Sequence, residues 1–176
     1  PQSPRRLLYI GRFLAYKQVD KLLKAFSIVD IKEQCRLVLV GQGPLEAALR
    51  KIATELKIMH LVEFKSDLSR EELLDEYSKA SVFVSLSRLE SFSRTVHEAV
   101  AIGLPTIIAR GSGLEGLEEW GAAVSVDPDN ETEVVAAIKR LLHDGPQRKG
   151  AESKPFLNWD EYVERLEEVY SGLMSS

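Results

Sequence analysis

The sequence predicts an α/β fold in which helices cover both faces of a parallel sheet. Short apolar runs alternate with segments whose apolar residues recur at helical spacing along most of the chain. The runs are continuously apolar, as is usual for strands that are buried on both faces. The chain has 176 residues, 44% of them hydrophobic and 28% charged, which is enough for one domain with a full core.

Six strands are predicted, and glycine, proline or polar residues end each of them. Their predicted bounds are residues 7–10, 37–40, 61–64, 81–86, 106–109 and 122–126. Helices are predicted between the strands, with Pro44 in a first helical turn and a capping box from Ser69 to Glu72. Gly103 and Pro105 end the helix before the fifth strand. This alternation predicts a Rossmann-like, doubly wound parallel sheet of about six strands.

The composition changes after Gly145, so residues 1–145 are predicted to form the domain. Residues 146–176 comprise a polar, turn-prone linker and an amphipathic helix over 156–173. We expect this helix to pack on the domain or on a domain that precedes it. Because the chain starts at Pro1 and enters a strand almost at once, we expect it to be a piece of a longer protein.

Charge and composition exclude several classes of partner. A net charge of -4 gives no general attraction to nucleic acid or to an anionic membrane. No apolar run approaches the roughly 20 residues that span a bilayer, and no signal peptide is visible. The one cysteine, Cys35, precedes an apolar run and is predicted to be packed or at a strand edge. A reducing, cytoplasmic location is therefore expected.

The loops that follow the strands are predicted to share one edge of the sheet. Right-handed crossovers place them there, and ligands of such sheets bind at the carboxyl ends of the strands. Four loops belong to this edge: 11–12, 41–43, 87–90 and 110–113.

The segment 90–101 holds two glutamates, Glu90 and Glu98, with seven residues between them. Ser91 or Ser93 can cap a helix that begins here, whose free N–H groups and dipole would seat a phosphate. Carboxylates bind hydroxyls rather than phosphates, so the pair suggests a ligand with hydroxyls on both sides of its phosphates, such as a nucleoside diphosphate sugar. Glutamates are also common in first helical turns for dipole reasons alone, and the spacing by itself does not decide between the two interpretations.

The other candidate motifs do not indicate a metal site or a cofactor, and none is expected. Asp127 and Asp129 are better explained as a turn and helix start than as a metal site. His97 points to a different helix face from Glu98 and is predicted to be a packing or surface residue. Gly41 and Gly43 lack the third glycine and the downstream acid of a dinucleotide-binding motif, which argues against a nicotinamide cofactor.

From Leu7 to about Leu142 the chain resembles a known family through the order and spacing of several short motifs. These are Gly11-Arg12, residues 17–20, Val40 to Pro44, Ser87-x-x-Glu90-x-Phe92, Glu98-Ala99, Gly103 to Pro105 and Val126 to Pro128. The resemblance is to the C-terminal, donor-binding half of GT-B retaining glycosyltransferases, especially glycosyltransferase family 4, the glycosyl transferases group 1 family. Gln18 and Ser93 stand where that family usually has glycine.

The resemblance implies a role for each charged residue of the site. Arg12 and Lys17 look like the basic pair that neutralises the donor diphosphate, although both would also suit a solvated loop. Glu98 looks like the carboxylate that holds the ribose hydroxyls, and Glu90 like the acid near the donor sugar. Ser91 to Arg94 would offer backbone N–H groups. The further donor-binding residues implied are Gly11, Gly41, Gly43, Ser91, Phe92, Ser93 and Arg94.

The function that the resemblance implies is transfer of a sugar from a UDP- or GDP-linked donor to an acceptor, with retention of configuration and without a metal. The acceptor, a sugar, glycan or lipid, would bind to an N-terminal domain, so this domain by itself would bind donor without efficient transfer. Peripheral membrane association at the inner face of the membrane stays open. A sugar-nucleotide 2-epimerase and a non-catalytic nucleotide-sugar-binding module are the alternatives.

Overall fold

Three stretches of the chain, residues 4–29, 34–120 and 123–143, are described by a computed structural model. The predicted boundary at 145, the linker and the helix over 156–173 lie outside these stretches.

A six-stranded, fully parallel sheet forms the centre of the molecule, as predicted. The strand order is β3-β2-β1-β4-β5-β6, and β1 pairs with both β2 and β4, so that Leu7 lies opposite Leu37 on one side and Val82 on the other. Strand ends differ from the predicted ones by at most two residues, and the bounds of β5 are as predicted. The strands are β1 Arg5–Ile10, β2 Cys35–Val40, β3 Val62–Lys65, β4 Val82–Ser85, β5 Thr106–Ala109 and β6 Ala123–Val126.

The helices predicted within the described stretches are present, four of them between strands and the fifth after β6. They are α1 Val19–Ile28, α2 Glu46–Glu55, α3 Arg70–Lys79, α4 Arg94–Ala101 and α5 Glu131–His143, with short 3-10 turns at Ala15–Lys17, Met59–Leu61 and Leu117–Trp120. The capping box is confirmed: the Glu72 N–H donates to the Ser69 hydroxyl at 3.2 Å, and the Ser69 N–H donates to the Glu72 carboxylate at 2.7 Å. The prediction for Pro44 is wrong, because α2 begins at Glu46 and Pro44 lies in the preceding turn. None of the described helices has the length and apolar character needed to cross a bilayer.

Helices cover both faces of the sheet. The side chains of Leu7 and Tyr9 pack with α1, α2 and α5, whereas Leu8, between them in sequence, packs with α3 and α4 on the opposite face. Cys35 is fully buried in the first of these layers, which confirms that it is a packed residue. Burial on both faces explains why the strands are continuously apolar, since each large apolar side chain removed from water contributes about 1.5–3 kcal/mol.

The strand order reverses between β1 and β4, and this reversal positions the site. The chain leaves β1 toward α1 on one face and leaves β4 toward α4 on the other. The two loops therefore diverge at the carboxyl ends of these strands, and open α/β sheets bind their ligands in the crevice at such a point.

Candidate functional site

The four loops predicted to share an edge of the sheet do meet at its carboxyl end. The Gly11 N–H donates to the Val40 carbonyl at 2.9 Å, which joins the ends of β1 and β2. The Gly113 N–H, after β5, donates to the Glu90 carbonyl in the loop after β4 at 2.6 Å. The Gly41 N–H donates to the Lys65 carbonyl at 2.8 Å and joins β2 to β3. Backbone hydrogen bonds thus hold the loops together.

Gly41 and Gly43 let the loop after β2 pack directly on the loop after β1. Gly41 has a φ of +143°, and a Cβ added to it would lie 2.0 Å from the carbonyl oxygen of Gly11. A Cβ on Gly43 would lie 2.6 Å from the carbonyl oxygen of Phe13. Neighbouring backbone atoms therefore leave no room for a side chain at either position. Their contact with a ligand stays a prediction.

Lys17 and Glu90 form an ion pair across the crevice. The Lys17 ammonium group is hydrogen-bonded to Oε1 of Glu90, and only 17% and 10% of the two side chains are exposed. Lys17 ends a 3-10 turn after β1, and Gln18 follows it in the left-handed region with a φ of +54°. The structure thus brings the predicted cation and the predicted acid together, although 73 positions separate them in sequence.

Arg12 lies in the same loop as Lys17 and is exposed. Among the described residues, its guanidinium group makes no hydrogen bond or ion pair, so the charge is open to a ligand. The Arg12 carbonyl accepts a hydrogen bond of 3.0 Å from the hydroxyl of Tyr9, which is buried. Burial raises the pKa of Tyr9 well above its usual range, and the negative charge of Glu90 raises it further. The phenol therefore stays protonated and keeps the backbone of Arg12 in place.

The amino end of α4 has no side-chain cap. Ser93 occupies the N-cap position, but its hydroxyl does not accept a helix N–H and instead lies 3.3 Å from the hydroxyl of Thr95. The prediction that Ser91 or Ser93 caps this helix with its side chain is therefore wrong. None of the N–H groups of residues 91–96 donates to another described group. They remain available to an anion, with the positive end of the helix dipole behind them.

Ser93 and Gln18, which replace the usual glycines, differ in backbone conformation. Ser93 has a φ of -112° and a ψ of 107°, an extended conformation that any residue adopts. Gln18, by contrast, has a positive φ and lies in the left-handed region, which is unfavourable for residues other than glycine. The departure at position 93 therefore leaves the entry to α4 unstrained.

Glu98 lies on the second turn of α4, within the range predicted. Its Oε2 accepts a hydrogen bond of 2.9 Å from the hydroxyl of Tyr77, which projects from α3. Its Oε1 lies 3.7 Å from Nε of Arg94, and 43% of the side chain is exposed. Tyr77 thus holds one carboxylate oxygen, and the other is paired with Arg94, whose side chain is exposed.

Phe92 and His97 stack at the edge of this site. Their ring centroids are 4.2 Å apart, and 68% of Phe92 is exposed. Nδ1 of His97 lies 2.8 Å from the Ser93 carbonyl oxygen. These contacts agree with the prediction that His97 is a packing or surface residue.

Asp127 and Asp129 form the turn that the sequence predicts. The Asp129 N–H donates to the Asp127 carboxylate at 2.9 Å, and the Asn130 side chain accepts the Glu133 N–H at 3.2 Å at the start of α5. Both aspartates are ion-paired with Arg88, in the loop before Glu90. In the described stretches, no group of three side chains of metal-binding type comes together.

Sequence patterns missed three residues that support the site. They are Tyr77, which holds Glu98, Tyr9, which holds the backbone of Arg12, and Gly113, which anchors the Glu90 loop. A buried tyrosine usually finds a partner for its hydroxyl, so both tyrosines carried a general signal. The sequence contains nothing that identifies the partner.

The arrangement provides an anion-binding site flanked by two carboxylates that can accept hydrogen bonds from ligand hydroxyls. Uncapped N–H groups at the start of α4 and the open charge of Arg12 suit an anion. Glu90 precedes these N–H groups, and Glu98 lies one turn beyond them, with one oxygen paired only with the exposed Arg94. A ligand that carries phosphates between two hydroxyl-bearing groups matches this pattern.

Comparison with known proteins identifies relatives along the whole chain. The model of the family described as glycosyl transferases group 1 matches residues 1–170. A D-inositol 3-phosphate glycosyltransferase from Thermomonospora curvata is 31% identical over 190 residues, which cover 98% of this chain and 44% of the relative.

Solved structures of glycosyltransferases share the fold. Sucrose-phosphate synthase from Thermosynechococcus elongatus superimposes with a TM-score of 0.76 and 28% identity, covering 99% of this chain and 47% of that one. The catalytic domain of cholesterol-alpha-glucosyltransferase from Helicobacter pylori superimposes with a TM-score of 0.68 at 24% identity, covering 83% and 91%.

The chain spans less than half the length of the first two relatives. The six-stranded parallel sheet with helices on both faces matches one half of the GT-B fold. Family match, identity and fold agree, and the chain belongs to the glycosyl transferases group 1 family.

Proposed function

We propose that this chain is the donor-binding half of a retaining GT-B glycosyltransferase of family 4. The donor is a UDP- or GDP-linked sugar, and the acceptor is held by the other half of the architecture, whose active site is a cleft between two domains. The observation that carries the proposal is the uncapped start of α4, which lies between Glu90 and Glu98 beside the loop of Arg12 and Lys17.

In this proposal the diphosphate is the leaving group, and its developing charge must be stabilised. Arg12 and the N–H groups of α4 are suited to this, because they are oriented before the reaction and are not engaged elsewhere among the described residues. Lys17 joins them by exchanging the Glu90 carboxylate for a phosphate oxygen. Glu98 accepts hydrogen bonds from the ribose hydroxyls, and Glu90 lies near the transferred sugar. No metal takes part.

Calorimetry with UDP and with GDP tests the proposal directly. We expect one of them to bind to the folded protein with a dissociation constant in the micromolar to low millimolar range. No detectable binding of either at millimolar concentration would contradict it.

Arg12→Ala should weaken binding of the nucleoside diphosphate by at least about tenfold, the loss expected for one charge-assisted contact with phosphate. Binding of the corresponding nucleoside, which lacks phosphate, should not change. Arg140→Ala is the matched control, because Arg140 is an exposed arginine near the far end of α5 and away from the carboxyl edge. Equal losses for the two variants would contradict a phosphate role for Arg12.

Product analysis with donor and acceptor in the presence of the acceptor-binding half separates the proposal from its alternatives. A transferase releases the nucleoside diphosphate and a glycosylated acceptor, with the anomeric configuration retained. An epimerase converts the donor without an acceptor, and a non-catalytic module leaves it intact.

A further inference from the structure

We propose that Tyr77 is a positioning residue for the donor site, which holds Oε2 of Glu98 so that Oε1 meets a ribose hydroxyl. The inference rests on the proposed function, because it assumes that Glu98 binds ribose. It adds a residue on α3, outside the loops and the helix α4 that carry the other predicted site residues.

The geometry places the Tyr77 hydroxyl between two acceptors on α4. It lies 2.9 Å from Oε2 of Glu98 and 3.1 Å from the carbonyl oxygen of Thr95. A phenol has one proton to donate, and a carboxylate is a stronger acceptor than a backbone carbonyl. The Thr95 carbonyl also faces the N–H one turn further along the helix. The proton is therefore directed mainly to Glu98.

The Tyr77 phenol remains protonated, and therefore a donor, at neutral pH. Burial raises the pKa of Tyr77 well above its usual range, and the hydrogen bond to Glu98 raises it further. Tyr77 thus supplies a neutral donor that holds the carboxylate without neutralising its charge.

Tyr77 is itself held from two sides. Its ring is almost fully buried and stacks on that of Phe83 in β4, with centroids 5.9 Å apart. The preceding residue, Glu76, is buried and ion-paired with Arg6 at 2.9 Å and with Lys65 at 2.6 Å, which fastens α3 to β1 and β3. The position of the hydroxyl is therefore set by the sheet.

Fixing one carboxylate oxygen has a consequence for ligand choice. Without Tyr77, the half-exposed Glu98 side chain would be held only by its pair with Arg94, whose Nε lies 3.7 Å from Oε1, and could rotate with that exposed side chain. A ligand with ribose would then have to order this side chain, whereas a ligand that makes no hydrogen bond to Glu98 would be unaffected. Tyr77 should therefore contribute to the preference for ribose over a sugar that lacks both the 2′ and the 3′ hydroxyl.

The test compares UDP with 2′,3′-dideoxy-UDP, or GDP with 2′,3′-dideoxy-GDP, by calorimetry on the protein and on Tyr77→Phe. The substitution keeps the ring against Phe83 and removes only the hydroxyl. We expect affinity for the ribonucleotide to fall about three- to tenfold, as for loss of one ordered hydrogen bond, and affinity for the dideoxy form to stay within about twofold. Thermal unfolding of both proteins verifies that the variant is folded.

Two further variants make the result specific. Tyr9→Phe removes another buried hydroxyl, which contacts the Arg12 carbonyl, and should leave the ratio of ribo to dideoxy affinity unchanged. In a Glu98→Ala background, Tyr77→Phe should have no further effect, because the pair acts as one unit.

The inference would be overturned if Tyr77→Phe left the ratio of ribo to dideoxy affinity unchanged. It would also be overturned if Tyr77→Phe kept its full effect in the Glu98→Ala background. Either result would leave the proposed function standing. If the unsubstituted protein binds neither UDP nor GDP, the proposed function fails and the inference fails with it.

Discussion

The Lys17 ammonium group and the Glu90 carboxylate are bonded to each other across the crevice at which the strand order reverses. Each is more than four-fifths buried, so the pair is little screened by water. If Lys17 binds a diphosphate, as proposed, the anion must compete with Glu90 for the same ammonium group.

Glu90→Gln should therefore separate binding from transfer. Removing the negative charge releases Lys17, so affinity for UDP or GDP without a sugar should rise about threefold. Sugar transfer, measured with the acceptor-binding half present, should be lost because Glu90 is proposed to lie near the sugar. Calorimetry and an activity assay check the two effects.

Lys17→Met is the complementary variant. It should lower affinity for the same nucleoside diphosphate and destabilise the fold by about 1–3 kcal/mol, because it leaves the Glu90 charge in the crevice without its partner.

For the Glu90→Gln variant, weaker nucleotide binding would contradict competition between Glu90 and the diphosphate.

Gly41→Ala should destabilise the protein by about 3 kcal/mol or more. The new Cβ would lie 2.0 Å from the carbonyl oxygen of Gly11, and backbone cannot move aside as a side chain can. Urea denaturation measures the loss.

Gly116→Ala is the matched control for Gly41→Ala. Gly116 also has a positive φ, +100°, but nothing lies within 4 Å of an added Cβ. Only backbone strain of about 1–2 kcal/mol is expected there. Equal losses for the two variants would show that the contact between the loops is not what excludes a side chain at Gly41.

Gln18→Gly should stabilise the protein by about 1 kcal/mol, because glycine adopts the left-handed conformation without steric cost. The substitution also removes the side-chain oxygen of Gln18, which is buried without a hydrogen-bond partner among the described residues. The midpoint of urea unfolding gives the measurement.

Lys57→Gly tests the backbone contribution alone. Lys57 has nearly the same φ, +57°, but its side chain is exposed. We expect a smaller gain than for Gln18→Gly. A larger gain at Lys57 would indicate that the buried oxygen of Gln18 costs no stability.

Glu76→Gln should destabilise the protein by about 2–4 kcal/mol at pH 7, because Arg6 and Lys65 lose their buried partner. Burial by itself raises the pKa of Glu76, but the hydrogen bonds from Lys65 and Arg6 outweigh it and leave the pKa below its ordinary value of 4.5. A lowered folded-state pKa means that the stabilisation is complete above 4.5 and is lost as the pH falls through the folded-state value. The difference between the two proteins should therefore shrink below pH 4.5.

Urea denaturation of both proteins between pH 7 and pH 3 measures this difference. Glu55→Gln is the control, because Glu55 is exposed and its ion pair with Lys51, at 3.8 Å, lies on the surface. Its effect should stay below about 0.5 kcal/mol throughout. A loss for Glu76→Gln that is constant from pH 7 to pH 3 would show that the carboxylate charge contributes nothing.

Sequence patterns located most elements of the fold because their causes are local. Apolar runs mark β1 to β6 within two residues, and the capping box at Ser69 and Glu72 is made by residues three positions apart. Pro44 and Ser93 show the limit of local rules. Each residue suits a helix start, but α2 begins two residues after Pro44, and the Ser93 hydroxyl meets Thr95 instead of the helix backbone.

The sequence by itself determined the alternation of strands and helices, the loops that share the carboxyl edge, and the position of the two glutamates in one of these loops and in the helix that follows it. Only the tertiary structure decided that Lys17 meets Glu90 and that Tyr77 meets Glu98. The physical reason is the distance in sequence between the residues that interact. Helical spacing and capping depend on residues a few positions apart, whereas these two contacts join residues 73 and 21 positions apart and exist only because β4 pairs with β1 and α3 packs beside α4.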